Sequence, residues 1–165
     1  MADGSASEVI EALRAEGLHL GCAESLTGGL VAAGFVAVPG ASRVLRGAIV
    51  AYDPAVKVDL LGVDAALVGA VGTVDPRVAA QMADGVCRAV GADIGVATTG
   101  VAGPGPAEGH PAGTVFLAVT GAKGKHVREL ALTGERAAVR AQAAAAAIDL
   151  VRDVLRGSSA SRRGG

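Results

Sequence analysis

The chain has 165 residues, of which 51% are hydrophobic and only 2% aromatic, and its formal net charge at pH 7 is −1. A single domain of this length buries roughly 70% of the surface that its unfolded chain exposes. The nearly neutral charge provides no basic footprint for nucleic acid, and too few aromatic rings exist to stack on bases. No uncharged apolar run reaches the roughly 18 residues of a membrane span. We therefore expect a domain that binds neither nucleic acid nor membranes.

The cysteines and histidines are scattered. Cys22 and Cys87 have no C-x-x-C spacing, which is typical of buried thiols in a reducing compartment. His19, His110 and His126 also lack the spacing of metal ligands. The acidic amino terminus does not resemble a signal peptide. These features predict a cytoplasmic protein without a metal or a cofactor.

Predicted strands and helices alternate along most of the chain. In chain order, the patterns predict a helix opened by Ser5 and closed by Gly17, a strand over 18–22, a helix over 30–38, a buried strand over 46–52, short helices over 55–61 and 64–70, a helix over 76–90, a strand over 93–99, a hairpin of strands over 114–120 and 126–132, and a helix from 135 to about 156. This order predicts an α/β fold, a three-layer α/β/α sandwich with a mixed sheet of about five strands. The domain is expected to cover residues 1–157, followed by a disordered tail over 158–165.

The stretch Gly21–Gly29 joins an apolar strand to an apolar helix and contains Ser25. Helix N-termini leave backbone N–H groups unpaired, and glycine lets a ligand approach that backbone closely. Such a site suits an anion, or the oxyanion that forms when a carbonyl is attacked. Ser25 is therefore a candidate nucleophile. Because serine is also a preferred N-cap, and the stretch matches neither G-x-S-x-G nor S-x-x-K, both interpretations stay open.

Tyr52 and Lys57 are the next candidates. Tyr52 is the only tyrosine and ends a predicted buried strand, where α/β folds often place functional groups. A core tyrosine with a hydrated hydroxyl is the alternative. Lys57 follows on a short helix, where a solvated lysine is the common case. It can act as a base only if burial lowers the pKa of its ammonium from about 10.4.

A glycine- and proline-rich loop and an arginine pair could bind an anion. The loop Thr99–Pro106 leaves a predicted buried strand but lacks the G-x-G-x-x-G spacing of a dinucleotide site. Its backbone N–H groups either hold a carbonyl or phosphate, or form a structural turn. Arg136 and Arg140 lie four residues apart on one helix face, either solvated or gripping a phosphate.

Taken together, five stretches resemble the CinA carboxy-terminal family, whose stand-alone members include the PncC-type nicotinamide-nucleotide amidohydrolases. The matching stretches, in the family's order, are A-E-S-L-T-G-G (23–29), G-A-I-V-A-Y-D-P-A-V-K (47–57), T-G-V-A-G-P (99–104), G-T-V (113–115) and G-E-R-A-A-V-R-A-Q-A (134–143). The resemblance covers residues 7–156. It does not include the larger amino-terminal domain of full-length CinA proteins, so the activities of that domain are not carried over.

The resemblance implies deamidation of nicotinamide mononucleotide to nicotinate mononucleotide and ammonia, without a metal, in pyridine-nucleotide salvage. It also implies a fold akin to anticodon-binding domains and a homodimer. The family's serine, tyrosine and lysine fall on Ser25, Tyr52 and Lys57. The binding positions expected from the family and from the motifs above are Thr27, Gly28, Gly29, Thr99, Gly100, Arg136 and Arg140. The alternative is a non-catalytic nucleotide-binding or competence-related regulatory module on the same fold.

The expected mechanism makes a spatial demand. Ser25, activated by neutral Lys57 directly or through Tyr52, attacks the carboxamide carbon, while backbone N–H groups of residues 27–29 stabilise the oxyanion. The phosphate then needs another anchor, either an arginine or the loop over 100–105. The mechanism requires the Ser25 hydroxyl to lie within reach of an amine that is shielded from solvent.

Overall fold

The computed structural model describes residues 4–161. None of the helices in this range has both the length and the apolar character needed to cross a bilayer. The elements, in chain order, are α1 (Gly4–Glu16), β1 (Leu20–Glu24), α2 (Leu30–Val36), a 3-10 turn (Ala41–Arg43), β2 (Leu45–Val50), α3 (Pro54–Asp59), α4 (Ala65–Val71), α5 (Pro76–Val90), β3 (Ile94–Gly100), β4 (Thr114–Gly121), β5 (His126–Ala131) and α6 (Arg136–Ser161).

The five strands form one mixed sheet in the order β2-β1-β3-β4-β5. Strand β1 runs parallel to both of its neighbours, so that Ala23 is paired with Ile49 on one side and Ala97 on the other. Strands β4 and β5 continue the sheet antiparallel. Because β1, β2 and β3 are parallel, their carboxyl ends lie at one edge of the sheet, where α/β folds commonly bind ligands.

Alternating strand residues feed two separate hydrophobic cores. Cys22 and Val96 pack with α1, α2 and α6, whereas Ala23 and Ala97 pack with α5 on the opposite face. This alternation is the period-2 pattern of a sheet covered on both sides. The predicted three-layer α/β/α sandwich with five mixed strands is therefore confirmed.

Strand β1 begins and ends two residues later than predicted. Gly17 adopts a positive φ of 67° as it ends α1, and the Leu18 N–H donates to the Leu13 carbonyl at 2.9 Å. Leu18 thus belongs to the helix-ending turn instead of the strand. As a consequence, β1 ends at Glu24 and Ser25 follows it directly.

The prediction of a buried strand over 46–52 is wrong in burial and in length. Strand β2 is paired on one side only, its residues alternate between partly buried and exposed, and it ends at Val50. Tyr52 lies beyond the strand and is 63% exposed. It is therefore not a core residue.

Helix α6 extends further than predicted. Its backbone is helical to Ser161, beyond the expected end near Arg156 and into the segment 158–165 that was predicted to be a disordered tail. Residues 162–165 of that segment lie outside the described residues.

Candidate active site at the carboxyl edge of the sheet

The side chain of Lys57 reaches Ser25 from α3, the helix that follows the neighbouring strand β2. Helix α3 begins at Pro54 after Asp53, whose side chain caps it by accepting from the Ala55 N–H at 2.7 Å. The Lys57 side chain is only 1% exposed, and its Nζ donates to Ser25 Oγ at 3.0 Å. A solvated lysine is thus excluded, and the spatial demand of the mechanism is met.

Burial shifts Lys57 toward its neutral form. Burial lowers the pKa of the Lys57 ammonium, while the negative charges of Glu108 and Asp53 oppose that shift and raise it. The remaining partners of Nζ are the carbonyl oxygens of Ala51 at 2.7 Å and Tyr52 at 3.4 Å. Within residues 4–161, no carboxylate forms an ion pair with this amine. A neutral amine in contact with a hydroxyl is able to take its proton.

Ser25 does not cap α2, so the N-cap interpretation is wrong. The helix begins at Leu30, and its N-cap is Gly29 in a left-handed conformation with φ 101°. The Ser25 N–H donates to the Thr98 carbonyl at 3.0 Å, which fixes the residue against β3. Its side chain is therefore available to Lys57.

The carboxylate of Glu24 occupies the amino end of α2 instead. Glu24 is fully buried, and its Oε2 accepts from Thr27 Oγ1 at 2.6 Å, the Gly29 N–H at 2.9 Å and the Val31 N–H at 3.1 Å. Its Oε1 accepts from the Ala32 N–H at 2.8 Å. An anion at the positive end of a helix is favourable. Our sequence reasoning missed this role, although an acidic residue ahead of a glycine-rich helix start was a usable signal.

These bonds limit which backbone groups can stabilise an oxyanion. The Gly28 N–H donates to the Ser25 carbonyl at 3.1 Å, and the Gly29 N–H is held by Glu24. The N–H groups of Leu26 and Thr27 donate to no acceptor among residues 4–161. Of the segment 27–29 considered from the sequence, only the Thr27 amide lacks an acceptor, and Thr27 is fully buried. Leu26, whose amide also lacks one, lines the cavity beside Ser25.

The hydroxyl of Thr27 points into the protein. Thr27 is fully buried, and its Oγ1 donates to Glu24 and lies 2.8 Å from Thr98 Oγ1. Arg140 holds the same loop from α6, with Nε donating to the Leu26 carbonyl at 2.8 Å and Nη2 to the Thr27 carbonyl at 3.1 Å. Arg140 is consequently a brace for the Ser25 loop and not simply a solvated charge.

Ser25 lies in a cavity of about 220 Å³ formed by loops at the carboxyl edge of the sheet. The polar or backbone groups that line it include those of Ser25, Tyr52, Thr73, Gly100, Glu108 and Arg136. A wider groove of about 870 Å³ lies beside Gly103 and Arg136, which border both spaces.

Tyr52 is held by Arg136 and not by Lys57. The Tyr52 hydroxyl accepts from Arg136 Nη2 at 3.0 Å, and Arg136 Nη1 donates to the Gly103 carbonyl at 2.8 Å. Of the groups of Tyr52, only the backbone carbonyl accepts a hydrogen bond from Lys57 Nζ. The direct contact between Lys57 and Ser25 therefore makes a relay through the phenol unnecessary.

Thr99 and Gly100 have different positions at the end of β3. Thr99 is buried, and its Oγ1 donates to the Thr73 carbonyl at 2.8 Å, so its hydroxyl fastens β3 to the segment before α5. Gly100 borders the cavity, and a Cβ atom there would lie 2.5 Å from the Thr114 carbonyl oxygen. Glycine is thus required by close packing at this position.

Glu108 is a second cavity residue that our sequence reasoning missed. Its Oε2 accepts from the N–H groups of Thr73 at 2.6 Å and Val74 at 2.9 Å, and its Oε1 accepts from Thr73 Oγ1 at 2.9 Å. The partners lie 34 and 35 residues away in the chain, so no local pattern reveals the contact.

Residues 4–161 contain no group of three or more His, Cys, Asp or Glu side chains arranged to hold a metal ion.

Comparison with known proteins identifies close relatives of the chain. It is 49% identical over 138 residues to a CinA-like protein of Frankia casuarinae, covering 84% of this chain and 32% of that protein. It is 47% identical over 149 residues to a CinA-like protein of Anaeromyxobacter dehalogenans, covering 90% and 36%. The chain thus spans about a third of the length of these curated relatives.

Solved structures of similar fold also come from CinA and competence-related proteins. A competence-damaged protein (CinA) superfamily protein from Klebsiella pneumoniae superposes with a TM-score of 0.88 at 32% identity, covering 93% of this chain and 96% of that one. The competence/damage inducible protein CihA from Agrobacterium tumefaciens has a TM-score of 0.77 at 32% identity, covering 97% of both chains. The family model of the CinA C-terminal domain matches residues 2–155. The chain therefore belongs to the CinA C-terminal domain family.

Proposed function

We propose that this domain hydrolyses the amide of nicotinamide mononucleotide to nicotinate mononucleotide and ammonia, with Ser25 as nucleophile and Lys57 as its base. The observation that supports this most is the contact of 3.0 Å between Ser25 Oγ and the Nζ of a lysine that is 1% exposed. Burial lowers the pKa of that amine. The choice of substrate rests on the resemblance of the sequence to the nicotinamide-nucleotide amidohydrolases.

In the first step, neutral Lys57 takes the proton of Ser25 while Oγ attacks the carboxamide carbon. The negative charge that develops on the carboxamide oxygen is stabilised by the N–H group of Leu26, which lines the cavity and has no other acceptor among the described residues. One such donor is worth about 2.7–4 kcal/mol in an acyl-transfer enzyme.

In the second step, the Lys57 ammonium returns its proton to the departing nitrogen, and ammonia leaves an acyl ester on Ser25. A water molecule then attacks the ester, again losing a proton to Lys57, and releases the carboxylate and the free hydroxyl. Lys57 passes that proton to Ser25 Oγ as it leaves, so one amide and one water give one carboxylic acid and one ammonia, and the acid ionises to the carboxylate by releasing a proton. No metal is required for this balance.

The two adjoining spaces suit the two ends of a mononucleotide. The cavity of about 220 Å³ is smaller than the roughly 300–1,000 Å³ of ordinary ligand pockets, so it fits a ring and its carboxamide. The ribose and phosphate would continue into the groove of about 870 Å³. Arg136 borders both spaces and is our candidate for the phosphate.

The direct test is to incubate the purified domain with nicotinamide mononucleotide and to measure ammonia, together with a binding titration. Ammonia release that Ser25→Ala abolishes is the expected result. Binding without ammonia would support the alternative, a regulatory nucleotide-binding module, which is favoured by the competence-related names of the solved relatives. Absence of binding would overturn both proposals.

We further propose, from the resemblance alone, that the domain acts in the cytoplasm as a homodimer. Sedimentation equilibrium of the purified chain tests the dimer, and a monomer at micromolar concentration would contradict it.

A further inference from the structure

Two opposite charges border the cavity that contains Ser25, and they do not neutralise each other. Glu108 and Arg136 both line this cavity. In the described range, Glu108 forms no ion pair with either Arg136 or Lys57. An opposite pair held apart in one cavity is complementary to a ligand that itself has two opposite charges.

Different segments hold the two charges in place. Arg136 is fixed by the Tyr52 hydroxyl and the Gly103 carbonyl. Glu108 is fixed by the backbone of Thr73 and Val74, just before α5. Although both side chains are exposed, contacts with two different segments of the chain hold them apart.

The carboxylate of Glu108 keeps both its charge and some free acceptor capacity. Burial alone would raise the pKa of Glu108, but the N–H bonds from Val74 and Thr73 outweigh it and lower the pKa, so the group is anionic at neutral pH. A carboxylate has about four acceptor positions, of which three are occupied here. The Glu108 carboxylate is thus able to attract a positively charged group of a ligand in the cavity.

We propose that Glu108 is a specificity-determining residue, which favours an amide attached to a positively charged ring, while Arg136 attracts an anionic group further along the same molecule. This inference rests on the proposed amide hydrolysis at Ser25 and specifies its substrate class. A pyridinium ring that carries a carboxamide has its cationic nitrogen a few ångströms from the scissile carbon. The neutral dihydropyridine of the same shape lacks this charge.

The competing explanation is that Glu108 merely fastens its loop to the segment before α5. The two roles differ in what they predict for substrate choice. Loss of a fastener disturbs the cavity for any substrate, whereas loss of the charge changes the preference for a cationic ring over a neutral one. A comparison of two substrates on each variant separates the roles.

The experiment measures kcat/KM for nicotinamide mononucleotide and for its reduced, neutral-ring form. Glu108→Gln is expected to lower the ratio of the cationic to the neutral substrate by about fivefold or more, because a charge pair about 4 Å apart contributes roughly this factor even in bulk water. Glu108→Asp, which keeps the charge, should retain most of the preference. The matched control is Thr73→Val, which removes one bond to Glu108 without changing charge and should affect both substrates alike.

An unchanged ratio in Glu108→Gln, with both substrates slowed equally, would overturn the proposal. If the wild-type protein releases no ammonia from either compound, the proposed reaction fails, but the charge preference is still decided by calorimetry. In that case, the affinities of both compounds are compared for Ser25→Ala and for Ser25→Ala combined with Glu108→Gln. Equal affinity ratios in these two proteins would also exclude a role for the Glu108 charge.

Discussion

Lys57 Nζ lies 3.0 Å from Ser25 Oγ, although 32 positions separate the two residues in the chain. Their meeting follows from the pairing of the parallel strands β1 and β2. Ser25 comes directly after β1, and the Ala51 N–H, just beyond β2, still donates to the Glu24 carbonyl at 2.8 Å. Helix α3 therefore starts beside the Ser25 loop, and its buried lysine points at the hydroxyl.

Replacement of Ser25 by alanine should abolish turnover with little effect on folding. Because the side chain does not cap α2, its loss removes no helix-end bond. We expect ammonia release to fall by about 10³-fold or more, with a nearly unchanged melting temperature. Ser42→Ala, at an exposed serine, is the control and should retain full activity. Near wild-type turnover by the Ser25 variant would exclude it as the nucleophile.

Substitution of Lys57 tests whether the amine acts as a base or only as a structural donor. Lys57→Met removes the proton acceptor and should slow turnover by about 10²–10⁴-fold. Lys57→Arg keeps a donor for the Ala51 carbonyl, but a guanidinium does not lose its proton near neutral pH. Arginine should therefore fail to rescue activity. Substantial turnover by the folded Lys57→Arg protein, checked by circular dichroism, would show a structural role.

The pH dependence of kcat/KM should report the protonation of Lys57. Since the proposed mechanism uses the neutral amine, the rate should fall as the pH decreases through the pKa of Lys57, which burial places below its ordinary value of 10.5. The negative charge of Glu108 raises that pKa, so Glu108→Gln should move the acid limb to lower pH. Asp59→Asn, an equal charge change on α3, should leave the limb in place. An acid limb that moves to higher pH in Glu108→Gln would contradict this assignment.

Glu24→Gln should destabilise the fold more than loss of a surface cap does. The buried carboxylate uses both oxygens as acceptors, whereas glutamine would turn an NH₂ group toward one of the donors, such as the Ala32 N–H. We expect a loss of about 2 kcal/mol in the free energy of unfolding, measured with urea. Asp64→Ala, which removes the exposed cap of α4, should cost about 1 kcal/mol. Equal losses in the two variants would argue against the helix-end role of Glu24.

The two arginines of α6 should differ in their kinetic effects. Arg136→Ala is expected to raise KM for nicotinamide mononucleotide by about tenfold or more, the size of a charge-assisted bond, but to change KM little for nicotinamide riboside, which lacks the phosphate. Arg140→Ala removes the bonds to the Leu26 and Thr27 carbonyls and should lower kcat for both compounds. Assays of both substrates check the difference, and identical effects of the two variants would refute it.

The layers and the order of the elements along the chain could be predicted from local patterns, because apolar periodicity determines which face of each element is buried. Contacts between distant loops could not be predicted from such patterns. The exposure of Tyr52 was not predicted, because the edge position of β2 depends on tertiary pairing. The partners of Glu108 could not be predicted from the sequence of its own loop, because they lie in a distant segment of the chain. Ser25 shows the limit most clearly, since an N-cap and a nucleophile have the same local sequence. The start of α2 at Leu30 and the position of Lys57 are known only from the folded chain.

The carboxylate at the amino end of α2 has a practical consequence for the design of inhibitors. With Glu24 already bound to the helix-end N–H groups, a negatively charged warhead extended in that direction would meet a buried anion and be repelled. Compounds designed to react with Ser25 should instead be extended toward the groove beside Arg136, and their acidic substituents should be placed on that side.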